Sequence, residues 1–242
     1  MRQMIVSVLA LVGAVALAGG AFFLWSNRPG RTAVSVNGRI LTARELDWRA
    51  QTLIDDAKRV ENLLIPENEM KEAMRHYRRT AAKMWIVKEV LLAAAVESGV
   101  KVTAEDEKAS LAKVERQLKS RHLTPEQFFK EGPIPEAVKR SDFKEAVLIG
   151  KYTKGEIEDK LSVGTKEIDD RIQELRKINA EVKKSGAKPR IKADRKTAIE
   201  MLRQEKYNIA FRDLFRDKFA KAVVECPEFP DLESVDGVSP PR

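Results

Sequence analysis

The sequence has few of the residues from which catalytic and metal sites are usually built. It contains one cysteine, Cys226, and two histidines, His76 and His122. A single cysteine cannot form an intramolecular disulfide. Two histidines on separate predicted helices, without a cysteine or carboxylate at ligand spacing, give neither a zinc site nor a catalytic triad. The 12 glycines are scattered and none belongs to a phosphate-binding loop. The sequence therefore predicts no catalytic residue, no metal site and no cofactor.

Charge is absent from one stretch near the N-terminus. No residue from Met4 to Trp25 is charged, and these 22 residues, at about 1.5 Å each, can cross a hydrocarbon core of about 30 Å as a helix. We therefore predict a transmembrane anchor within residues 1–30. A second interpretation stays open, because Ala16-Leu17-Ala18 also resembles the cleavage site of a secretory signal, and cleavage near Ala18 would release a soluble domain. Both interpretations predict export.

Charge of a single sign does not dominate the chain. It has 45 Lys and Arg against 37 Asp and Glu, a net charge of +8. The two signs are interspersed along the predicted helices, which is typical of solvated helix faces and not of a nucleic-acid groove. Nucleic acid is therefore not an expected partner. The net positive charge either attracts anionic lipid headgroups or has no specific role.

Helix signals, by contrast, are abundant. Capping residues such as Thr42 with Glu45, and Thr124 with Gln127, mark helix starts, and apolar residues follow at intervals of three and four. Proline and glycine separate the periodic stretches. The predicted helices cover residues 43–61, 70–99, 103–120, a short segment from 124, 136–161, 165–184 and 194–222.

Strands are predicted at both ends of the domain. Two β-prone runs flank Asn37-Gly38, a pair typical of a tight hairpin turn. Residues 222–226 form a third β-prone run, so we predict that they pair with residues 33–36. The proline-bearing remainder, residues 231–242, is predicted to be a flexible tail.

Two predicted helices carry apolar stripes. Such stripes usually pack in a core, but flexible methionine and aromatic side chains can also accommodate many apolar segments of other proteins. The candidate client-binding residues are Met70, Met74, Met84, Trp85, Phe211, Phe215 and Phe219.

Four segments occur in an order that is shared with a known family. They are residues 34–46 (strand, Asn-Gly, strand, cap, helix), 90–106 (helix end, Gly turn, Val-x-Val, capped helix), 123–129 (Leu-Thr-Pro-Glu-Gln-Phe-Phe) and 161–170. A long helix and closing strand over 194–226 follow. This order resembles the helical domain of SurA-like and PrsA-like periplasmic chaperones.

The resemblance, which spans residues 33–226, implies a mainly α fold of the SurA N-terminal type over residues 31–230, closed by paired N- and C-terminal strands. In that family the domain is a cradle that holds unfolded secreted or outer-membrane proteins by apolar contact. Many relatives insert a parvulin-type prolyl isomerase domain before the last helix. This chain has only the loop 182–194 there, so isomerase activity is not carried over.

From sequence we therefore expect a chaperone of the holdase type, tethered to the bacterial inner membrane by residues 4–25, with its domain in the periplasm. Its partners would be unfolded or nascent exported polypeptides, and it would not be an enzyme. One alternative is a structural or assembly subunit of an envelope complex that binds one fixed partner. The other is a prolyl isomerase.

Overall fold

The computed structural model describes residues 30–60, 64–119, 123–189 and 191–238. The apolar segment from Met4 to Trp25, and with it the predicted anchor, lies outside these ranges. Within them, no helix combines the length and the apolar composition that crossing a membrane requires.

The described part of the chain is mainly helical with one small sheet, as predicted. It contains eight α-helices, the last of which was not predicted. The helices are α1 (Ala43–Val60), α2 (Met70–Glu97), α3 (Ala104–Lys119), α4 (Pro125–Lys130), α5 (Glu136–Ile157), α6 (Thr165–Lys184), α7 (Arg195–Phe219) and α8 (Val235–Val238). Short 3₁₀ turns cover Glu67–Glu69, Glu158–Leu161 and Pro230–Glu233. The strands are β1 (Thr32–Val36), β2 (Arg39–Thr42) and β3 (Val224–Glu225).

The sheet joins the two ends of the domain. Its order is β2-β1-β3 and both pairings are antiparallel, with Ser35 opposite Glu225. Asn37 and Gly38 have φ of 50° and 80°, the left-handed conformation that a two-residue hairpin turn requires. Asn37 also fastens the third strand, because its N–H donates to the Val223 carbonyl at 2.9 Å and its Oδ1 accepts from the Val223 N–H at 2.8 Å. The predicted pairing of the N- and C-terminal strands is confirmed.

The main core lies between the sheet, α2, α7 and the C-terminal segment. Leu46, Ile86 and Phe215 are among its fully buried members. Burial of such side chains stabilises a fold by about 25 cal/mol per Å² of apolar surface. The described residues from 30 onwards therefore contain an extensive hydrophobic core.

Helix α6 packs mainly on α7 and forms with it an antiparallel hairpin, which we call the arm (residues 165–206). A small apolar cluster with Ile168 and Leu202 holds its base. Two ion pairs reinforce it, Arg171 with Glu205 at 2.6 Å and Lys206 with Glu167 at 2.9 Å.

The C-terminal segment differs from its prediction. Instead of a flexible tail over residues 231–242, the described part folds into a 3₁₀ turn and α8, and it buries Leu232 and Val238 completely. Apolar residues recur every third position from Phe229, which gives one helical face, and Pro230 stands at the first position of a turn, where it is tolerated. Proline content led the prediction to overlook this periodicity.

Candidate functional site

An open groove with a volume of about 870 Å³ lies between α2, α5 and α7. Residues spaced three and four apart on α2 and α5 form its two walls, since this spacing places side chains on one face of a helix. The apolar lining comprises Met84, Val87 and Leu91 of α2, Ile149 and Ile157 of α5, and Tyr207 and Phe211 of α7. Leu161 and Val238 contribute at its margins.

Small residues on α5 keep the groove open. Ala146 and Gly150 lie on its α5 wall, and a Cβ built on Gly150 would meet no heavy atom within 4 Å. Across the groove, the Met84 side chain is 57% exposed and Tyr207 is exposed as well. Exposed apolar side chains gathered around a concavity are typical of a surface that binds an apolar partner.

Charged side chains border the apolar lining of the groove. They are Lys83, Lys88, Lys154 and Glu158, and two of the lysines are paired with carboxylates, Lys154 with Glu158 at 3.7 Å and Lys88 with Asp142 and Glu145. Burial, together with the neighbouring Arg79, lowers the pKa of Lys83. Burial alone would also lower the pKa of Lys88, but its hydrogen bonds to carboxylates outweigh this effect and leave the pKa raised.

A cluster of buried charges fixes the distance between the two walls. The Glu89 carboxylate on α2 is 1% exposed and lies 3.0 Å from Arg39 Nη1 and 3.1 Å from Lys88 Nζ. Lys88 Nζ in turn donates to Asp142 at 2.7 Å and Glu145 at 2.6 Å on α5. Burial tends to raise the pKa of Glu145, yet the hydrogen bonds from Lys88 and Arg39 lower it overall, so this carboxylate is ionised at neutral pH. The cluster thus joins α2, α5 and the hairpin as one unit.

The seven residues predicted from the sequence to bind clients lie in three different environments. Two of them line the groove, Met84 and Phe211. Three are buried in the main core, Trp85, Phe215 and Phe219. Two lie half-buried on the first turns of α2 and are not part of the groove lining, Met70 and Met74.

Sequence reasoning missed the contribution of α5. The α5 wall consists of positions 146, 149, 150, 153, 154 and 157, an interval pattern that is visible in the sequence. The pattern shows that these residues share a face. It does not show that the neighbouring helices leave part of that face uncovered, because this depends on how α2 and α7 pack.

Thr153 on the α5 wall offers a test of local energetics. Its hydroxyl is buried and has no hydrogen-bond partner among the residues that the structure describes. An unpaired buried hydroxyl costs about 1–3 kcal/mol. We therefore expect Thr153→Val, which keeps the shape, to raise the free energy of unfolding by about 1 kcal/mol in chemical denaturation.

Thr80 serves as the matched control for this substitution. It also lines the groove, but its hydroxyl donates to the His76 carbonyl at 3.1 Å. Thr80→Val removes a satisfied hydrogen bond and should bring no gain in stability. Equal effects of the two substitutions would contradict the assignment of an unpaired hydroxyl at Thr153.

The described residues thus form a mainly helical domain with an open apolar groove between α2, α5 and α7. No protein-family model, no curated protein and no solved structure matches the chain.

Proposed function

We propose that this protein is a holdase chaperone of the bacterial envelope that binds unfolded exported or outer-membrane polypeptides and does not isomerise prolines. The observation that carries the proposal is the open apolar groove between α2, α5 and α7. Apolar segments of an unfolded client would be removed from water there, at about 25 cal/mol per Å² buried. Such binding is reversible and needs no nucleotide.

The resemblance to SurA-like and PrsA-like chaperones supports the same proposal. It rests on the order of segments over residues 33–226, and it implied paired N- and C-terminal strands, as β1 and β3 are here. The proposed tether is the apolar segment 4–25, which would hold the domain at the periplasmic face of the inner membrane. Cleavage near Ala18 would instead release the same domain as a soluble chaperone.

The chemistry of the groove suits varied clients. Met84 is flexible and largely exposed, so it can adapt to different apolar side chains. Tyr207 stacks on Phe211 with ring centroids 6.0 Å apart and planes 13° from parallel, which gives a flat aromatic surface. Adaptable methionine and a broad apolar surface are typical of promiscuous binders.

A substitution that fills the groove tests this proposal. In the fragment 30–242, Gly150→Leu places an isobutyl group in open space on the groove wall. Replacing an interior helical glycine by leucine should also stabilise α5, by up to about 1 kcal/mol. We expect the variant to unfold no more easily than the parent fragment, yet to lose most of its ability to suppress aggregation of a urea-denatured outer-membrane β-barrel protein.

Gly155→Leu is the matched control, because it makes the same change in the same helix. A Cβ at Gly155 likewise meets nothing within 4 Å, but this residue is outside the groove lining. The control variant should suppress aggregation as well as the parent. Full activity of Gly150→Leu would exclude the groove as the client site, and no suppression by the parent at several-fold molar excess would contradict the holdase itself.

One observation favours a second candidate, a subunit of an envelope complex that binds a single partner. The buried charge cluster around Glu89 holds the groove walls at a set distance, and a groove of fixed width suits one partner better than many. A photo-crosslinking amino acid at Met84, in the full chain in cells, separates the two candidates. A spread of crosslinked products supports the holdase, and one dominant stoichiometric product supports the assembly subunit.

A further inference from the structure

The excess of positive over negative charge in this protein is concentrated in one short segment. Residues 176–196 contain nine Lys and Arg against two Asp and Glu. The other 221 residues contain 36 basic and 35 acidic side chains and are nearly neutral. The net charge of +8 is therefore mostly a property of this segment, which we call the arm tip.

The fold gathers these cations at one end of the arm. Helix α6 ends in a turn at Gly186, whose φ is 80°, and the Ala187 N–H closes the turn on the Val182 carbonyl at 3.1 Å. Asn179 Nδ2 then donates to the Ile191 carbonyl at 2.8 Å and folds the loop back onto α6. The end of α6, the loop and the start of α7, with their cations, thus lie at the same end of the arm.

The tip cations differ from those at the base of the arm. At the base, Arg171 and Lys206 are engaged with carboxylates. Six tip cations are exposed and form no ion pair within the described ranges, namely Lys183, Lys184, Lys188, Lys192, Arg195 and Lys196. Unpaired cations on one surface attract anions more strongly than the same number spread among carboxylates.

The other side chains of the tip indicate which anion fits. Ile178 and Ile191 are exposed large aliphatic residues among the cations. No aromatic residue occurs from 176 to 196, whereas single-stranded nucleic acid sites combine cations with aromatic stacking surfaces. Lysine and arginine around exposed aliphatic side chains are the combination by which segments bind the interface of an anionic bilayer.

We infer that the arm tip binds the anionic phospholipid surface of a membrane. Lys183, Lys184, Lys188, Lys192, Arg195 and Lys196 contact lipid phosphates, and Ile178 and Ile191 enter the headgroup layer. The surface is separate from the groove, because Tyr207, the first groove residue of α7, lies about 18 Å along the helix from Arg195 at about 1.5 Å per residue.

Vesicle binding by the fragment 30–242 tests this inference without the apolar segment 4–25. The fragment contains the core residues that the structure describes, and circular dichroism checks its folding. We expect cosedimentation with phosphatidylcholine vesicles that contain about 30 mol% phosphatidylglycerol, and none with phosphatidylcholine alone. Raising the salt from about 0.1 to about 0.5 M should release the fragment, because screening shortens the range of the attraction.

Two fourfold variants with the same change in net charge locate the site. The tip variant is Lys183→Gln, Lys184→Gln, Lys188→Gln and Lys192→Gln. The control variant neutralises four exposed lysines elsewhere, Lys101→Gln, Lys108→Gln, Lys113→Gln and Lys144→Gln. The tip variant should bind the anionic vesicles at least about tenfold more weakly than the parent, and the control variant by no more than about twofold.

Several results would overturn the inference. Equal weakening in both variants would show that only net charge matters, and unchanged binding of the tip variant would exclude the tip. Displacement by inorganic phosphate beyond that by chloride at equal ionic strength would indicate a free-anion site. Tip-dependent binding of an RNA oligomer without vesicle binding would indicate a nucleic-acid surface. The vesicle assay contains no client protein, so a negative result would not count against client binding in the groove. The groove variant Gly150→Leu should bind vesicles as well as the parent fragment does.

Discussion

Replacing Arg78 by alanine is expected to lower the free energy of unfolding by about 3 kcal/mol. The Arg78 side chain on α2 is 2% exposed, and its Nε donates to Glu228 Oε1 at 2.9 Å while Nη1 pairs with Asp47 on α1. Removing one partner of a buried ion pair costs about 3–5 kcal/mol. We expect a loss at the lower end of this range, because the Asp47 side chain is 41% exposed and can be hydrated once Arg78 is removed.

Arg79 is the natural control for this prediction. It follows Arg78 in the same helix and also pairs with a carboxylate of the C-terminal segment, Asp231, but both side chains of this pair are exposed. Exposed ion pairs contribute about 0–1 kcal/mol. Chemical denaturation of the fragment 30–242 should therefore give a small loss for Arg79→Ala and a large one for Arg78→Ala. Similar losses would contradict a structural role that depends on burial.

Phe215→Ala is expected to lower the free energy of unfolding by about 3–5 kcal/mol. Phe215 is fully buried in the main core and packs against Phe219, with ring centroids 5.5 Å apart. Truncation removes a large apolar side chain and leaves a cavity that neighbouring helices only partly fill. The substitution does not alter the groove lining, so the folded fraction of the Phe215→Ala variant should still suppress client aggregation.

Phe211→Ala makes the same substitution one turn earlier in α7, on the groove. Its ring is half-buried and stacks on Tyr207, so we expect a smaller loss of stability and a larger loss of aggregation suppression than for Phe215→Ala. Denaturation midpoints and aggregation assays at equal concentrations of folded protein measure the two effects separately. If Phe211→Ala and Phe215→Ala lose equal fractions of both stability and aggregation suppression, α7 does not have separate core and groove faces.

Features governed by neighbouring residues could be predicted from the sequence. The Asn37-Gly38 hairpin and the capping box of Thr124 and Gln127 depend on local backbone chemistry, and the structure contains both. Long apolar periods likewise predicted α2 and α7. The pairing of β1 with β3 followed because strands stood at both ends of one domain.

The face that each apolar residue occupies could not be predicted in the same way. Met84 and Trp85 are adjacent on α2, and successive helical residues point about 100° apart. Trp85 enters the core, whereas Met84 faces the groove between α2, α5 and α7. Composition alone could not separate them. The excess of basic residues over 176–196 is visible in the sequence, but its position at the far end of the arm depends on how α6 packs on α7.

Helix α7 runs without a break from the arm tip, past the groove wall at Tyr207 and Phe211, into the core at Phe219. A continuous helix is stiff over this length, so the arm tip and the aromatic groove wall keep a constant separation of about 18 Å, the rise of α7 between Arg195 and Tyr207. A client in the groove would therefore be held at a set distance from whatever surface the tip contacts.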